Sequence, residues 1–240
     1  MLFLRSLLFS IGMILATVLL ALPSFILAII PYKPRYRFLN MWHRFVIWWL
    51  EVTCNIHFEI EGQEHITAAH PGIIFSRHES TWETLALTKI FPPQTWVLKR
   101  ELLWVPFFGW ALWVLEPIAI NRKAGRHALN EIIKQGIDRL NKGRWVVVFP
   151  EGTRIHPDET KKFGAGGAML AARSGRPVVP VVHNAGDFWP KRQFIKQPGT
   201  IKVIIGSPIQ TEGRKASDIN EEAEVWINEN RKMLLELRNK

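Results

Sequence analysis

Cysteine occurs once in the 240 residues, at Cys54, so no disulfide can close within the chain, and neither a Cys/His zinc pattern nor a redox pair is present. Charge is missing altogether between Arg5 and Lys33. Acidic residues are scarce as well: 21 Asp and Glu face 31 Lys and Arg, which leaves a formal charge of +10. A surplus of that sign points to an anionic partner surface, either nucleic acid or phospholipid headgroups. No DNA- or RNA-binding motif accompanies it. Tryptophan is abundant where tyrosine is rare, 11 against 2. Its ring suits the boundary between apolar and wet surroundings, so the composition favours lipid over nucleic acid. Internal repeats and low-complexity tracts are absent too, and the expected organisation is one globular domain with an amino-terminal appendage.

The uncharged run from Ser6 to Ile30 exceeds the roughly 20 residues a helix needs to cross the hydrocarbon core. It predicts a membrane segment kinked at Pro23. The run is longer than the apolar part of a cleaved signal peptide, and no small-x-small site follows it, which argues against that alternative. Lys33, Arg35 and Arg37 outnumber Arg5, so the positive-inside tendency assigns the remainder to the cytoplasmic side of the membrane. Residues 38–54 read as a second helix in which Trp42, Phe45, Trp48 and Trp49 lie among Met41, Val46, Ile47 and Leu50. Two placements stand open for it: flat in the headgroup layer, or packed on the domain. Residues 1–54 are thus expected to form membrane-anchoring helices, and residues 55–240 the domain that carries the chemistry, ending in a helix.

From His57 onward short β-rich runs alternate with helical patterns, as in a sheet with crossover helices, and predict an α/β domain. Strands are expected at 56–60, 73–77, 95–98, 117–120, 145–149, 178–182 and 201–205. Helices are expected near 81–90, 124–141, 164–174 and 217–237.

Four segments could carry chemistry. In Arg77-His78-Glu79-Ser80-Thr81-Trp82-Glu83, a histidine and a carboxylate at a strand-to-helix junction can make a base and the group that orients it. Five helical positions correspond to a rotation of roughly 140°, so His78 and Glu83 meet only if His78 lies in the turn before the helix and Glu83 in its first turn. Ser80-x-x-Glu83 is also a capping-box pattern, and Glu83 acting only as a cap remains the competing reading. Phe149-Pro150-Glu151-Gly152-Thr153-Arg154 follows an apolar strand at the end where α/β proteins bind ligands. Gly152 permits close backbone approach, Thr153 offers a hydroxyl, and Arg154 a forked cation suited to phosphate. The alternative is an Arg154–Glu151 ion pair in a tight turn. Arg122 follows another strand and could share a crevice with Arg154 to bracket one phosphomonoester. Val178-Val179-Pro180-Val181 reads as a buried structural strand. The aromatic stretch of Trp96, Trp104, Phe107, Phe108, Trp110 and Trp113 has three readings: the lining of a tunnel for an apolar chain, a membrane contact, or plain core.

These four segments, in this order, resemble the glycerolipid (lysophospholipid) acyltransferase family typified by bacterial 1-acylglycerol-3-phosphate acyltransferases. The likeness spans roughly residues 60 to 210, and the block from Phe149 to Arg154 matches the family signature at every position. It implies a mixed, mostly parallel sheet flanked by helices, of the glycerol-3-phosphate acyltransferase kind, with an amino-terminal helical pair on the membrane. It further implies His78 as general base and Glu83 as its orienting carboxylate. Arg122 and Arg154 would bind phosphate, and Glu151 and Gly152 the glycerol backbone, with Thr153 beside them. The implied reaction moves a fatty acyl group from acyl-CoA or acyl carrier protein to the sn-2 hydroxyl of 1-acyl-glycerol-3-phosphate, giving phosphatidic acid without a metal or bound cofactor. A lysophospholipid acceptor, the acyl donor and a phospholipid membrane are the partners it implies. Two departures stand out: Glu83 replaces the usual aspartate, and Asn121 an aspartate that often precedes the arginine. Donors for the tetrahedral oxyanion are not identifiable beyond a backbone amide near Gly152.

Overall fold

Proline lacks an N–H and its ring crowds the preceding turn, so Pro23 must either kink or end the helix of the uncharged amino-terminal run. In the computed structural model, which describes residues 1–68, 70–91 and 93–238, the run divides into α1 (Leu2–Ala21) and a single turn, α2 (Ser24–Leu27), capped by Pro23. The expected kink is therefore a break. The first helix is still long and apolar enough to cross a membrane, judged by length and composition. The second long helix, α3 (Tyr32–Cys54), begins six residues before the expected start at 38. Pro34 sits in its first turn, where the missing N–H would have no intrahelical partner anyway. It ends at Asn55, whose left-handed backbone (φ 56°) lets its N–H close on Glu51 O at 2.9 Å.

The two long helices pair antiparallel. Trp42 Nε1 donates to Thr17 Oγ1 at 3.0 Å and Trp49 Nε1 to Leu8 O at 3.2 Å, with the Trp49 ring over Gly12, where any side chain would collide. The inner face of α3 (Tyr36, Leu39, Val46, Ile47, Leu50) is buried in the same core as Ile74, Leu85 and Val179, while Met41, Trp48 and Val52 face outward. Arg35, expected as a flanking charge, instead pairs with Glu116, which also holds Arg144 at 2.8 Å. The start of α3 is thereby tied to the segments that carry Glu116 and Arg144.

The rest of the chain runs β1 (Ile56–Glu61), α4 (Glu64–Ala68), β2 (Ile73–Ser76), α5 (Trp82–Ile90), β3 (Gln94–Lys99), a 3-10 turn over Arg100–Trp104, α6 (Phe108–Val114) and β4 (Ile118–Ile120). A second 3-10 turn, Arg122–Ala124, precedes α7 (Arg126–Asn141), β5 (Trp145–Val148), α8 (Ala165–Ser174), β6 (Val178–His183), α9 (Ala185–Phe188), β7 (Gly199–Ile205) and α10 (Ala216–Arg238). All seven expected strands and all four expected helices of this region form, each end within two residues of its predicted place. The short helices α4, α6 and α9 and the 3-10 turns were not expected. They lack the length over which a periodic pattern can show.

Among the described residues the sheet has seven strands, in the order β1-β7-β6-β2-β5-β3-β4. Every pairing is parallel except β6 with β7, so the sheet is mixed and mostly parallel, as expected. β2, β5 and β6 are buried at every position, which accounts for their continuous apolar sequences: helices cover both faces. On α7 the buried positions Ala128, Ile132, Gly136 and Leu140 recur every fourth residue, and Gly136 lets the Leu170 side chain of α8 come close. Because β2, β4 and β5 run the same way, three of the four segments singled out in the sequence emerge at one edge of the sheet, while Val178–Val181 lies within β6, the buried structural strand expected.

Candidate active site

The backbone ladder of β2 continues one residue past its end, with Arg77 N donating to Val181 O at 3.1 Å, and His78 is the first residue beyond it. The chain then turns into α5 so that Glu83 stands in the first helical turn, as the spacing required. His78 Nδ1 lies 2.7 Å from Glu83 Oε1. The same carboxylate accepts the N–H of Glu79 at 3.1 Å and that of Ser80 at 2.9 Å and 3.1 Å. Capping and histidine pairing, opposed as readings of the sequence, are thus done by one group. Glu83 is fully buried, and a buried carboxylate needs such donors to remain charged.

Burial raises the Glu83 pKa, but His183, His78 and the Ser80 N–H outweigh it and hold the group below the usual carboxylate range. Burial lowers the His78 pKa, with Glu83 opposing and Arg154 and His183 adding to the shift. The pair is therefore an anionic glutamate and a neutral imidazole with its proton on Nδ1, which leaves Nε2 free as a proton acceptor. The ring plane is fixed by stacking on Phe149, centroids 4.1 Å apart and planes 18° from parallel.

Phe149 opens the second block, which wraps around the first. Ile155 N donates to His78 O at 2.8 Å, and Glu151 Oε1 accepts His78 N at 3.4 Å. The Arg154–Glu151 ion pair does not form; Arg154 Nη1 donates instead to Thr81 Oγ1 at 2.8 Å. Glu151 is buried beneath the histidine, with Oε2 unpartnered among the described residues, and burial pushes its pKa up to about 7. Gly152 takes up φ +70°, a conformation few other residues tolerate. Its N–H is engaged by Phe149 O at 2.9 Å, so this amide is not free to serve an oxyanion. Its carbonyl accepts from Arg122 Nη1. Asn121 receives Lys123 N at 3.1 Å and caps the 3-10 turn that carries Arg122.

A cavity of about 310 Å³ lies against these groups. His78, Ser80, Thr81, Arg122 and Arg154 form much of its polar wall. The remainder is largely apolar and comes from α1 (Leu20), α3 (Leu39, Trp42), β3 (Trp96) and α6 (Phe108, Leu112). His78 and both arginines are thus brought to one space. Glu151 lies behind it, Gly152 touches it only through Arg122, and Thr153 is exposed and outside its wall. The aromatic stretch is divided: Trp96 and Phe108 line the cavity, whereas Trp104 and Trp113 face outward.

Three buried polar groups here escaped the sequence reading. His183, the last residue of β6, backs onto Glu83. Arg231 on α10 reaches Glu79 Oε1 at 2.7 Å, a carboxylate that Arg77 also holds. Arg231 had a legible signal, because it occupies the apolar stripe of Ile219, Ala223, Ile227 and Leu234. His43 on α3 lines the cavity and stacks on Trp96, and burial pushes its pKa down to about 3. Among the described residues, no group of three or more His, Cys, Asp or Glu could hold a metal ion.

Comparison with known proteins gives a consistent result. The Acyltransferase family profile matches residues 57–184. A 1-acyl-sn-glycerol-3-phosphate acyltransferase of Pseudomonas aeruginosa is 49% identical over 212 residues, covering 87% of this chain and 82% of that protein. The alpha form of the same enzyme from Bos taurus is 32% identical over 167 residues, 69% of this chain and 58% of that protein's length. The crystal structure of a 1-acyl-sn-glycerophosphate (LPA) acyltransferase from Thermotoga maritima superposes with a TM-score of 0.78 over 96% of this chain and 95% of that one. At 22% identity, this last likeness speaks for the fold.

Proposed function

The chain belongs to the acyltransferase family and is an acyltransferase enzyme, and from that premise we propose that it acylates the sn-2 hydroxyl of 1-acyl-glycerol-3-phosphate to give phosphatidic acid. The observation that carries this reading is the His78–Glu83 pair, 2.7 Å apart, on the wall of a mainly apolar cavity that also holds Arg122 and Arg154.

Each part has a task in the proposed reaction. The two guanidinium groups hold the acceptor's phosphomonoester, and the apolar wall takes up a fatty chain. His78 Nε2 removes the acceptor's hydroxyl proton as the oxygen attacks the thioester carbonyl. Glu83 stabilises the imidazolium that results. The tetrahedral intermediate collapses, the carbon–sulfur bond breaks, and the departing thiolate takes the proton back from His78. No acyl-enzyme is needed, and the chemistry runs on the chain's own side chains and two substrates. A positioned base contributes typically ~10²–10⁴-fold, and holding both reactants together contributes further.

The donor is acyl-CoA or acyl carrier protein, and α1 attaches the enzyme to the cytoplasmic membrane with its catalytic domain on the cytoplasmic side. Length and hydropathy of α1, and the excess of Lys33, Arg35 and Arg37 over Arg5 beside it, support that placement.

The test is acyl transfer by detergent-purified protein, from acyl-CoA and from acyl carrier protein, to a panel of lysolipids with and without a phosphomonoester. Phosphatidic acid should form from the phosphorylated acceptor, and His78→Ala should stop it while the protein stays folded. A folded wild-type protein that acylates no acceptor would overturn the proposal.

A further inference from the structure

His183 has no part in the reaction as derived above, yet it is 1% exposed and lies directly behind the catalytic turn. Its Nε2 is 2.9 Å from Arg77 O, and its Nδ1 accepts Ala185 N at 3.3 Å. A ring nitrogen that accepts carries no proton, so the hydrogen is on Nε2, donated to Arg77 O. That nitrogen also stands 3.9 Å from Glu83 Oε2. The Trp82 ring lies edge-on to the imidazole, centroids 6.0 Å apart, and hinders the ring from swinging away.

Two consequences follow for His78. Arg77 O belongs to the peptide unit that also contains His78 N, so the bond from His183 holds the orientation of the backbone from which the base projects. The opposite end of that peptide plane is held by Glu151 Oε1 at 3.4 Å from His78 N. The second consequence concerns Glu83. Its Oε1 receives His78 Nδ1, Glu79 N and Ser80 N, whereas Oε2 receives only Ser80 N among the described residues. The positive end of the His183 N–H dipole lies beside that poorly served oxygen. A glutamate extends one methylene further than an aspartate, and its carboxylate ends between two imidazoles.

We propose that His183 is a positioning residue, acting through its Nε2–H on the Arg77 carbonyl and on Glu83 to hold the His78–Glu83 pair in register. The proposal rests on the acyltransferase reading, and its test separates the two. A glutamine amide reproduces a donor at the Nε2 position, an asparagine amide reaches only to the Nδ1 position, and leucine offers none.

Full-length wild type, His183→Gln, His183→Asn and His183→Leu are compared for kcat, for KM of both substrates, for thermal melting, and for the downfield NMR resonance of the His78 Nδ1 proton. His183→Gln should stay within about threefold of wild-type kcat. His183→Asn and His183→Leu should lose roughly 10- to 100-fold in kcat with KM nearly unchanged, the range typical when an outer partner that orients a functional side chain, such as a metal-ligating histidine, is removed. Their His78 proton resonance should move, and that of His183→Gln should not. Equal kcat across the three variants overturns the proposal, as does a loss of kcat that only follows the loss of melting temperature. If wild type itself turns nothing over, the enzymatic reading fails, while the NMR comparison still decides whether His183 positions His78.

Discussion

Replacing Glu83 by glutamine removes the negative charge and almost nothing else. Oxygen at the Oε1 position keeps the acceptor for His78 Nδ1, Glu79 N and Ser80 N. An NH2 group at the Oε2 position then faces the Ser80 N–H, now 3.1 Å from that atom; Ser80 N keeps its bond at the Oε1 position, and the buried amide N–H that points at it goes unserved. That costs about 1–3 kcal/mol of stability, or a fall in melting temperature of about 2–4 °C per kcal/mol for a chain of this size. The effect on rate is larger. As His78 takes up the hydroxyl proton, charge centres about 4 Å apart interact by about 4 kcal/mol at an effective dielectric of about 20. Loss of that stabilisation corresponds to roughly 10³-fold in rate. Glu83→Asp is the companion change: it keeps the charge but withdraws it by about one carbon–carbon bond, ~1.5 Å, opening the contact to His78 for a loss of roughly 10²-fold. The assay is the initial rate of phosphatidic acid formation in mixed micelles, beside a melting curve for each variant. A glutamine variant that melts within those limits and keeps more than a tenth of the wild-type rate would refute the assignment of Glu83 as the partner of a charged imidazolium.

The acid limb of kcat/KM should fall below pH 6.5, since burial lowers the His78 pKa from that value and only the neutral ring can accept the proton; a limb at or above pH 6.5 would contradict the environment described for this base. Replacing Arg122 by alanine should raise KM for a phosphorylated acceptor while leaving KM for an acceptor without the phosphomonoester unchanged, as measured on the two substrates in parallel. Glu151→Gln should stabilise the protein at alkaline pH. The folded-state pKa of Glu151 is raised to about 7, so its contribution to stability is fully present below pH 4.5 and is lost as pH rises through about 7. The total change is about 3 kcal/mol at 1.36 kcal/mol per unit, and a denaturant titration at pH 5 and pH 8 should show the variant relieved of it.

The strands and long helices of the α/β domain could be placed from the chain alone because their signals are local. β2, β5 and β6 are apolar runs flanked by turn-forming residues, and α7 repeats its buried positions at a helical interval. The same holds for His78 with Glu83, which lie within one strand-to-helix turn, and for the block from Phe149 to Arg154. What escaped was decided over distance or by competition between local rules. Pro23 marked a change in the amino-terminal run, but whether it bends or ends the helix depends on what packs beyond it. The helical start at Tyr32 was hidden by a proline and three basic residues, one of which, Arg35, folds against Glu116 81 positions away. His183 reads as the end of a valine-rich strand, and only the parallel pairing of β6 with β2 brings it against Arg77.

Taken alone, the amino-acid order determined the class of fold, the position of each long element and the groups available for proton transfer, because hydrophobic period and turn chemistry act over a few residues. Strand order, the union of cap and catalytic carboxylate in Glu83, the burial of Glu151 and the convergence of Arg122, Arg154 and His78 on one cavity were decided only by the tertiary structure. Each of these requires segments tens of residues apart to meet, and that meeting is governed by how the sheet and its covering helices exclude water together.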